Sequence, residues 1–251
     1  MMNITPVVKQ LLILNIIFFI GTELVGEAAV NMLALFYPEH PAFQIWQIIS
    51  HMFMHGGLMH LAFNMFALYS FGSALEHYWG GGKFLFFYIS CGLGSALLHT
   101  GVNYYIFENA VQVLEASGIS RSEVIKVLTE STYIPGNWAD VLPIDQIRAM
   151  ASAFNGVAVG ASGAIYGLLV AFAFMFPNAE LALLFIPIPI KAKYFVTGLL
   201  LLDLFLGVKG DSIFGAGGTG VAHFAHIGGA LIGFLMMWYW KKTSFNKNRW
   251  N

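Results

Sequence analysis

The chain has 251 residues, 58% of them hydrophobic and only 10% charged, with a formal net charge of -1 and a mean hydropathy of +0.71. Ordinary globular domains are roughly 45–50% apolar and about 25% charged, so 12 basic and 13 acidic side chains cannot cover a water-soluble surface of this size. The balance of charge excludes a nucleic-acid binder, which needs a dense basic patch, the single cysteine, Cys91, excludes an internal disulfide, and what remains is a polytopic membrane protein.

Runs free of Asp, Glu, Lys and Arg set the architecture, because a helix needs about 20 mostly apolar residues to cross the hydrocarbon core. They predict six helices, at about 8–26, 56–75, 83–102, 157–176, 192–208 and 221–240. The runs do not alternate in polarity as the strands of a spanning barrel do, so the fold class is an all-α membrane bundle. No small-residue cleavage site follows the apolar core of the first helix, which argues against a cleaved signal peptide. Residues 27–55 are apolar and aromatic, carry Pro41 and have little helical pattern, which predicts a loop lying partly in the membrane interface. Residues 103–152 are polar. Within them Ser120-Arg121-Ser122-Glu123 reads as a capping box ahead of Val124, Ile125, Val127 and Leu128, which predicts a pair of short amphipathic helices outside the membrane.

Orientation follows from the bias of Lys and Arg toward the cytoplasm. With the N-terminus inside, Lys9, Lys83, Lys191, Lys193, Lys241, Lys242, Lys247 and Arg249 are inside, and Arg121, Lys126, Arg148 and Lys209 are outside. Both termini are then cytoplasmic. The glycine pairs Gly156/Gly160, Gly163/Gly167 and Gly229/Gly233 are four apart and let the fourth and sixth helices approach closely.

A polar group buried in lipid costs several kcal/mol unless it is paired, so the intramembrane polar residues carry the functional information. The second helix has His60 and Asn64, the fourth Ser162 and Tyr166, the sixth His223 and His226, each pair on one helix face. All three helices run from outside to inside. His60, Ser162 and His226 each lie about five residues from a helix start, roughly 7–9 Å below the outer boundary at 1.5 Å per residue. Asn64 sits about 6 Å deeper. Ser and His at one depth suit nucleophilic catalysis, in which a base removes the proton of a weakly nucleophilic hydroxyl. His226 is the candidate base. The Ser162 backbone N–H, the His60 side chain and the Asn64 amide are candidate oxyanion donors. No Asp or Glu shares this layer, so a three-member triad is not expected. His51 and His55 read as interfacial polar groups, and His40 as solvated.

These residues resemble the motifs of the rhomboid family of intramembrane serine proteases. HMFMHGGLMHLAFNMFALYSFG is similar to the family's second-helix region, with H-x-x-x-N at His60 and Asn64. GASGAIYG resembles its G-x-S-G motif, with Gly160, Ser162 and Gly163. AHIGG, from Ala225 to Gly229, resembles its A-H-x-x-G, with His226 and Gly229. The motifs come in the family's order, and the likeness covers roughly 40–102 and 155–240. It implies a six-helix rhomboid-like bundle forming a single membrane domain over 1–251, with a helical insertion at about 103–152. It implies a Ser162–His226 dyad in a water-filled cavity open to the outside, and an oxyanion hole of His60, Asn64 and the Ser162 N–H. It also implies that Tyr166 stacks on His226 in place of a missing aspartate. The substrates implied are single-span membrane proteins cut near the outer boundary of the bilayer, with no cofactor and no nucleic acid; the location is a multi-pass protein of the bacterial inner membrane. Two departures stand out. Where many members have Trp-Arg in the first outside loop, this chain reads Phe43-Gln44-Ile45-Trp46-Gln47, and its 103–152 insertion is longer than the family's usual connection.

Two other readings compete. An intramembrane metal site could draw on His51, His55 and His60, or on His223 and His226, but no carboxylate or thiolate is expected to join them and H-E-x-x-H does not occur. An inactive relative that binds membrane clients would lack the nucleophile or the base, and this chain keeps both. A transporter needs a deep polar pathway, and Asp203, the only acidic residue well inside a late helix, falls toward its outer end.

Overall fold

The computed structural model describes residues 3–131, 134–183, 186–209 and 221–243. Helix α1 (Pro6–Val25) opens on a proline, whose fixed φ and missing N–H suit the first helical position. Its free N-terminal groups are met by Glu76, which accepts from the backbone N–H of Val7 at 2.9 Å and of Val8 at 2.8 Å and from the Thr5 hydroxyl. An anion at a helix N-terminus is favourable, which accounts for one carboxylate in an otherwise apolar segment. Glu76 lies on α5 (Ser73–Trp79), which continues α4 (Leu58–Ala67) through a π turn at Leu68–Gly72. By length and composition Pro6–Val25, Leu58–Trp79 and Gly81–Ala116 can each cross a membrane.

The loop predicted over 27–55 contains two short helices, α2 (Glu27–Leu33) and α3 (Gln47–Ser50), and a 3-10 turn at His51–Phe53. Gln47, where the family resemblance leads one to look for arginine, is fully buried. Its Oε1 accepts from the N–H of Gln44 at 3.1 Å and of Phe36 at 3.4 Å, and its Nε2 donates to the carbonyls of Ala42 at 2.9 Å and Asn31 at 3.0 Å. One neutral amide thus ties together four backbone groups of the loop.

Helix α6 (Gly81–Ala116) runs well past its predicted end. Its apolar stripe of Phe107, Ala110, Val111 and Leu114 continues at helical spacing and packs on the insertion. The insertion is α7 (Arg121–Glu130), a 3-10 turn at Gly136–Asp140 and α8 (Ile144–Asn155). Its core includes the buried Trp138, Ile147, Met150 and Phe154 together with Tyr37 of the first loop. The serine half of the predicted capping box is present, the Ser120 hydroxyl accepting from the Glu123 N–H at 3.3 Å. Arg121 then clamps the module from outside, donating to both Glu39 of the first loop and Glu108 of α6.

Beyond it lie α9 (Ser162–Met175), an antiparallel hairpin of β1 (Glu180–Leu183) and β2 (Ile186–Lys191), α10 (Ala192–Lys209) and α11 (Val221–Thr243). The hairpin, with Glu180 opposite Lys191, falls between the predicted fourth and fifth helices, where no strand is predicted. Lys247 and Arg249, which enter the orientation argument, lie outside the described residues. Helix α11 packs against α6 and α9 through glycine-lined contacts. A Cβ on Gly228 would stand 2.4 Å from the Gly94 carbonyl oxygen, and one on Gly233 2.8 Å from the Gly167 Cα. Gly163, Gly167, Gly229 and Gly233 therefore serve the approach predicted for them. Gly156 follows the end of α8 and Gly160 precedes α9, so that pair does something else.

Candidate active site

The fourth predicted helix begins at Ser162 and not near 157, because Gly160 takes a φ of +124°, a backbone conformation closed to other residues at little cost. The Gly160 N–H donates to the His51 carbonyl at 2.9 Å, which fixes the turn against the first loop. Ser162 is thereby the first residue of α9. The first N–H groups of a helix have no intrahelical acceptor and form its positive end, so the Ser162 N–H and its hydroxyl sit together at a site suited to developing negative charge.

The His226 Nε2 lies 3.0 Å from the Ser162 Oγ. Tyr166, one turn beyond Ser162, stacks on the His226 ring with centroids 4.2 Å apart and planes 11° from parallel. His60 reaches the same place from α4. Its Nδ1 accepts from the Gly56 N–H at 3.4 Å, which leaves the ring proton of a neutral imidazole on Nε2. A Cβ on Gly160 would meet that Nε2 at 2.9 Å and the Ser162 Oγ at 3.6 Å, so glycine is needed there to seat the histidine beside the serine. Asn64 is buried one turn along α4 and gives one amide hydrogen to the His60 carbonyl at 3.0 Å, keeping a second. Ser162, His226, Tyr166 and His60 are half-buried.

One expectation is overturned. Asp203 of α10 is 3% exposed, its Oδ1 lies 3.3 Å from the His226 Nδ1, and the same oxygen contacts the His223 Nδ1. A carboxylate therefore does share the layer, and Tyr166 accompanies an aspartate where it was expected to replace one. The signal was in the sequence: an acidic residue inside an 18-residue apolar helix demands a partner, and the histidines of the last helix were the available donors. His51 and His55 are buried within the protein. The His51 Nδ1 lies 2.8 Å from the Gln47 carbonyl, and the His55 ring stands edge-on to His60 with centroids 5.0 Å apart. His40 stacks on Phe36 at 4.7 Å and is not free in solvent.

An acceptor nitrogen on a serine hydroxyl, a carboxylate behind that imidazole and donors beside the serine can together form and hydrolyse an acyl intermediate. Similar proteins carry the matching name. Rhomboid protease GlpG of Salmonella choleraesuis (strain SC-B67) is 34% identical over 82 residues, which is 32% of this chain and 29% of that protein. The proteins of that name from Salmonella paratyphi A and Salmonella typhi are 33% identical over 82 residues. The chain thus matches less than a third of the length of these curated relatives. The family description "Rhomboid domain" matches residues 42–243, a stretch that holds Ser162, His226, His60 and Asn64. Over most of its length, and as an integral membrane protein, this chain belongs to the rhomboid family.

Proposed function

We propose that the protein is an intramembrane serine endopeptidase that cleaves single-span membrane proteins near the outer boundary of the bilayer through a Ser162–His226 dyad. The observation that carries this reading is the 3.0 Å contact between the Ser162 Oγ and the His226 Nε2 at the start of α9. Ser162 attacks the scissile carbonyl carbon while its hydroxyl proton passes to Nε2. The tetrahedral oxyanion is met by the Ser162 N–H, by the Nε2–H of His60 and by the free amide hydrogen of Asn64. The imidazolium returns its proton to the leaving amine, and water, activated by the same nitrogen, releases the acyl group. Asp203 accepts the Nδ1–H of His226, which keeps Nε2 free to act as base, and Tyr166 holds the ring plane. In this reading a single rhomboid-like domain spans 1–251 in a bacterial inner membrane, with six membrane helices and both termini cytoplasmic. No cofactor takes part.

The test is incubation of purified protein with a single-span substrate and with a fluorophosphonate. Ser162→Ala is expected to abolish cleavage and labelling while melting like the wild type. Cleavage by that variant near the wild-type rate refutes the assignment, and loss of activity on chelation, restored by zinc, moves the histidines from catalysis to ligation.

A further inference from the structure

We propose that Asp203, His223 and His226 form a ligand set for a zinc-class divalent cation, and that this cation silences the Ser162–His226 pair. The second half rests on the protease reading above; the first does not. One carboxylate oxygen and two imidazole nitrogens lie within 4.8 Å of one another. Ligand atoms around a tetrahedral zinc, at 2.0–2.1 Å from the metal, stand about 3.3 Å apart, so the set needs only a modest closure. His223 and His226 are three apart on one face of α11, and α10 brings Asp203 between them. The second Asp203 oxygen, Oδ2, is buried with no hydrogen-bond partner among the described residues. A buried carboxylate oxygen left in this state has room for a further ligand contact, and Tyr166 is the other side chain that interacts with this carboxylate. The mixture of imidazole and carboxylate suits zinc, cobalt or nickel over the all-oxygen sites of magnesium and calcium. The His226 side chain is 23% exposed, which gives the ion a way in and leaves a coordination position for water.

Ligation is incompatible with general-base action for a reason internal to the imidazole. A neutral ring has one nitrogen with a proton and one with a free lone pair. In the metal-free site the proton sits on the His226 Nδ1, facing Asp203, and the lone pair on Nε2, facing Ser162. A cation on Nδ1 needs the lone pair at that nitrogen, so the ring adopts the other tautomer: the proton leaves Nδ1, and Nε2 takes one up on the lone pair that faced Ser162. The 3.0 Å contact survives, but Nε2 now donates to the Ser162 Oγ and cannot take its proton. The metal inhibits by choosing the tautomer, without displacing a residue.

The experiment uses the full chain in detergent, stripped of metal, titrated with cobalt(II) and followed by its visible absorption, then with zinc, with cleavage measured in parallel. The wild type and Ser162→Ala are expected to bind one cobalt per chain with a tetrahedral-type spectrum displaced by zinc. His223→Gln, which keeps an amide donor toward Asp203, and Asp203→Ala are each expected to weaken binding more than about tenfold. Zinc is expected to stop wild-type cleavage, with recovery on chelation, and to leave His223→Gln cutting. Absence of saturable one-to-one binding in the wild type, or equal cobalt affinity in the wild type and both ligand variants, overturns the ligand set. Binding that leaves wild-type cleavage untouched upholds the ligands and overturns the silencing. A metal-stripped wild type that binds cobalt yet never cleaves upholds the ligand set and counts against the protease reading alone.

Discussion

Gly229 is packed so tightly on Gly163 that a Cβ placed on it would stand 1.9 Å from the Gly163 carbonyl oxygen. Gly163 follows Ser162, and Gly229 lies one turn beyond His226, so this contact sets the separation of Ser162 and His226. Gly229→Ala is expected to force α9 and α11 apart, costing about 1–3 kcal/mol as overpacking does, and to lower the cleavage rate as the dyad opens. Thermal unfolding and kcat measured together check this. Gly101→Ala, where a Cβ meets nothing within 4 Å, is the control. If Gly229→Ala melts and cleaves like that control, the contact is not limiting.

The proposed oxyanion donors should be separable from the proposed base. His60→Ala and Asn64→Ala are each expected to lower kcat by roughly 10²–10³ if the donors act independently, and by less where the others compensate, since residues acting as a unit are not additive. His226→Ala should cost more than either. The three single variants are compared on one substrate after a folding check. Should His60→Ala match His226→Ala and also block fluorophosphonate labelling of Ser162, His60 would be the base.

Asp203 acts through His226 and is a positioning residue, a hypothesis that rests on the 3.3 Å contact of its Oδ1 with the His226 Nδ1. Asp203→Ala is expected to lower kcat on the order of 10²-fold, the lower end of general acid–base effects, with KM nearly unchanged. Asp203→Asn retains a carbonyl acceptor for the Nδ1–H and should recover much of that loss. A merely structural role predicts a different pattern: KM and thermal stability shift as much as kcat, with no rescue by asparagine.

Gln47 and Arg121 both tie down the first loop, but their surroundings differ. Gln47 is fully buried, and its removal strands four backbone groups. A single unsatisfied buried group costs about 1–3 kcal/mol, so Gln47→Ala should destabilise by at least that much. The Arg121 side chain is 31% exposed, and exposed ion pairs contribute about 0–1 kcal/mol, so Arg121→Ala should stay within that range. Denaturation in one detergent ranks the two, and a larger loss from Arg121→Ala contradicts the argument.

Several helices were legible because charge is too costly in lipid to be scattered: α1, α10 and α11 begin and end near the predicted bounds. Gly163 and Gly229 were legible as a close contact because small residues four apart have few other uses in a membrane helix. The start of α9 was not, since a glycine at 160 reads equally well as part of a helix until its φ is known. Asp203 was missed for a related reason. Its partners are 20 and 23 residues away on another helix, and counting depth along separate helices does not reveal how they rotate toward each other. The extension of α6 was hidden because its last turns are polar on one face and bury the other on a module that itself had to be folded first.

The π turn at Leu68–Gly72 places an extra residue between the two working parts of one rod. Above it α4 places His60 beside Ser162, and below it α5 presents Glu76 to the start of α1. A residue advances an α-helix by about 100°, so the turn acts as a phase setting between the two faces. With one residue deleted there the rod would be a regular helix of almost the same length and polarity. Its upper and lower faces would then be misaligned by about that angle, and α4–α5 could meet Ser162 or cap α1, but not both.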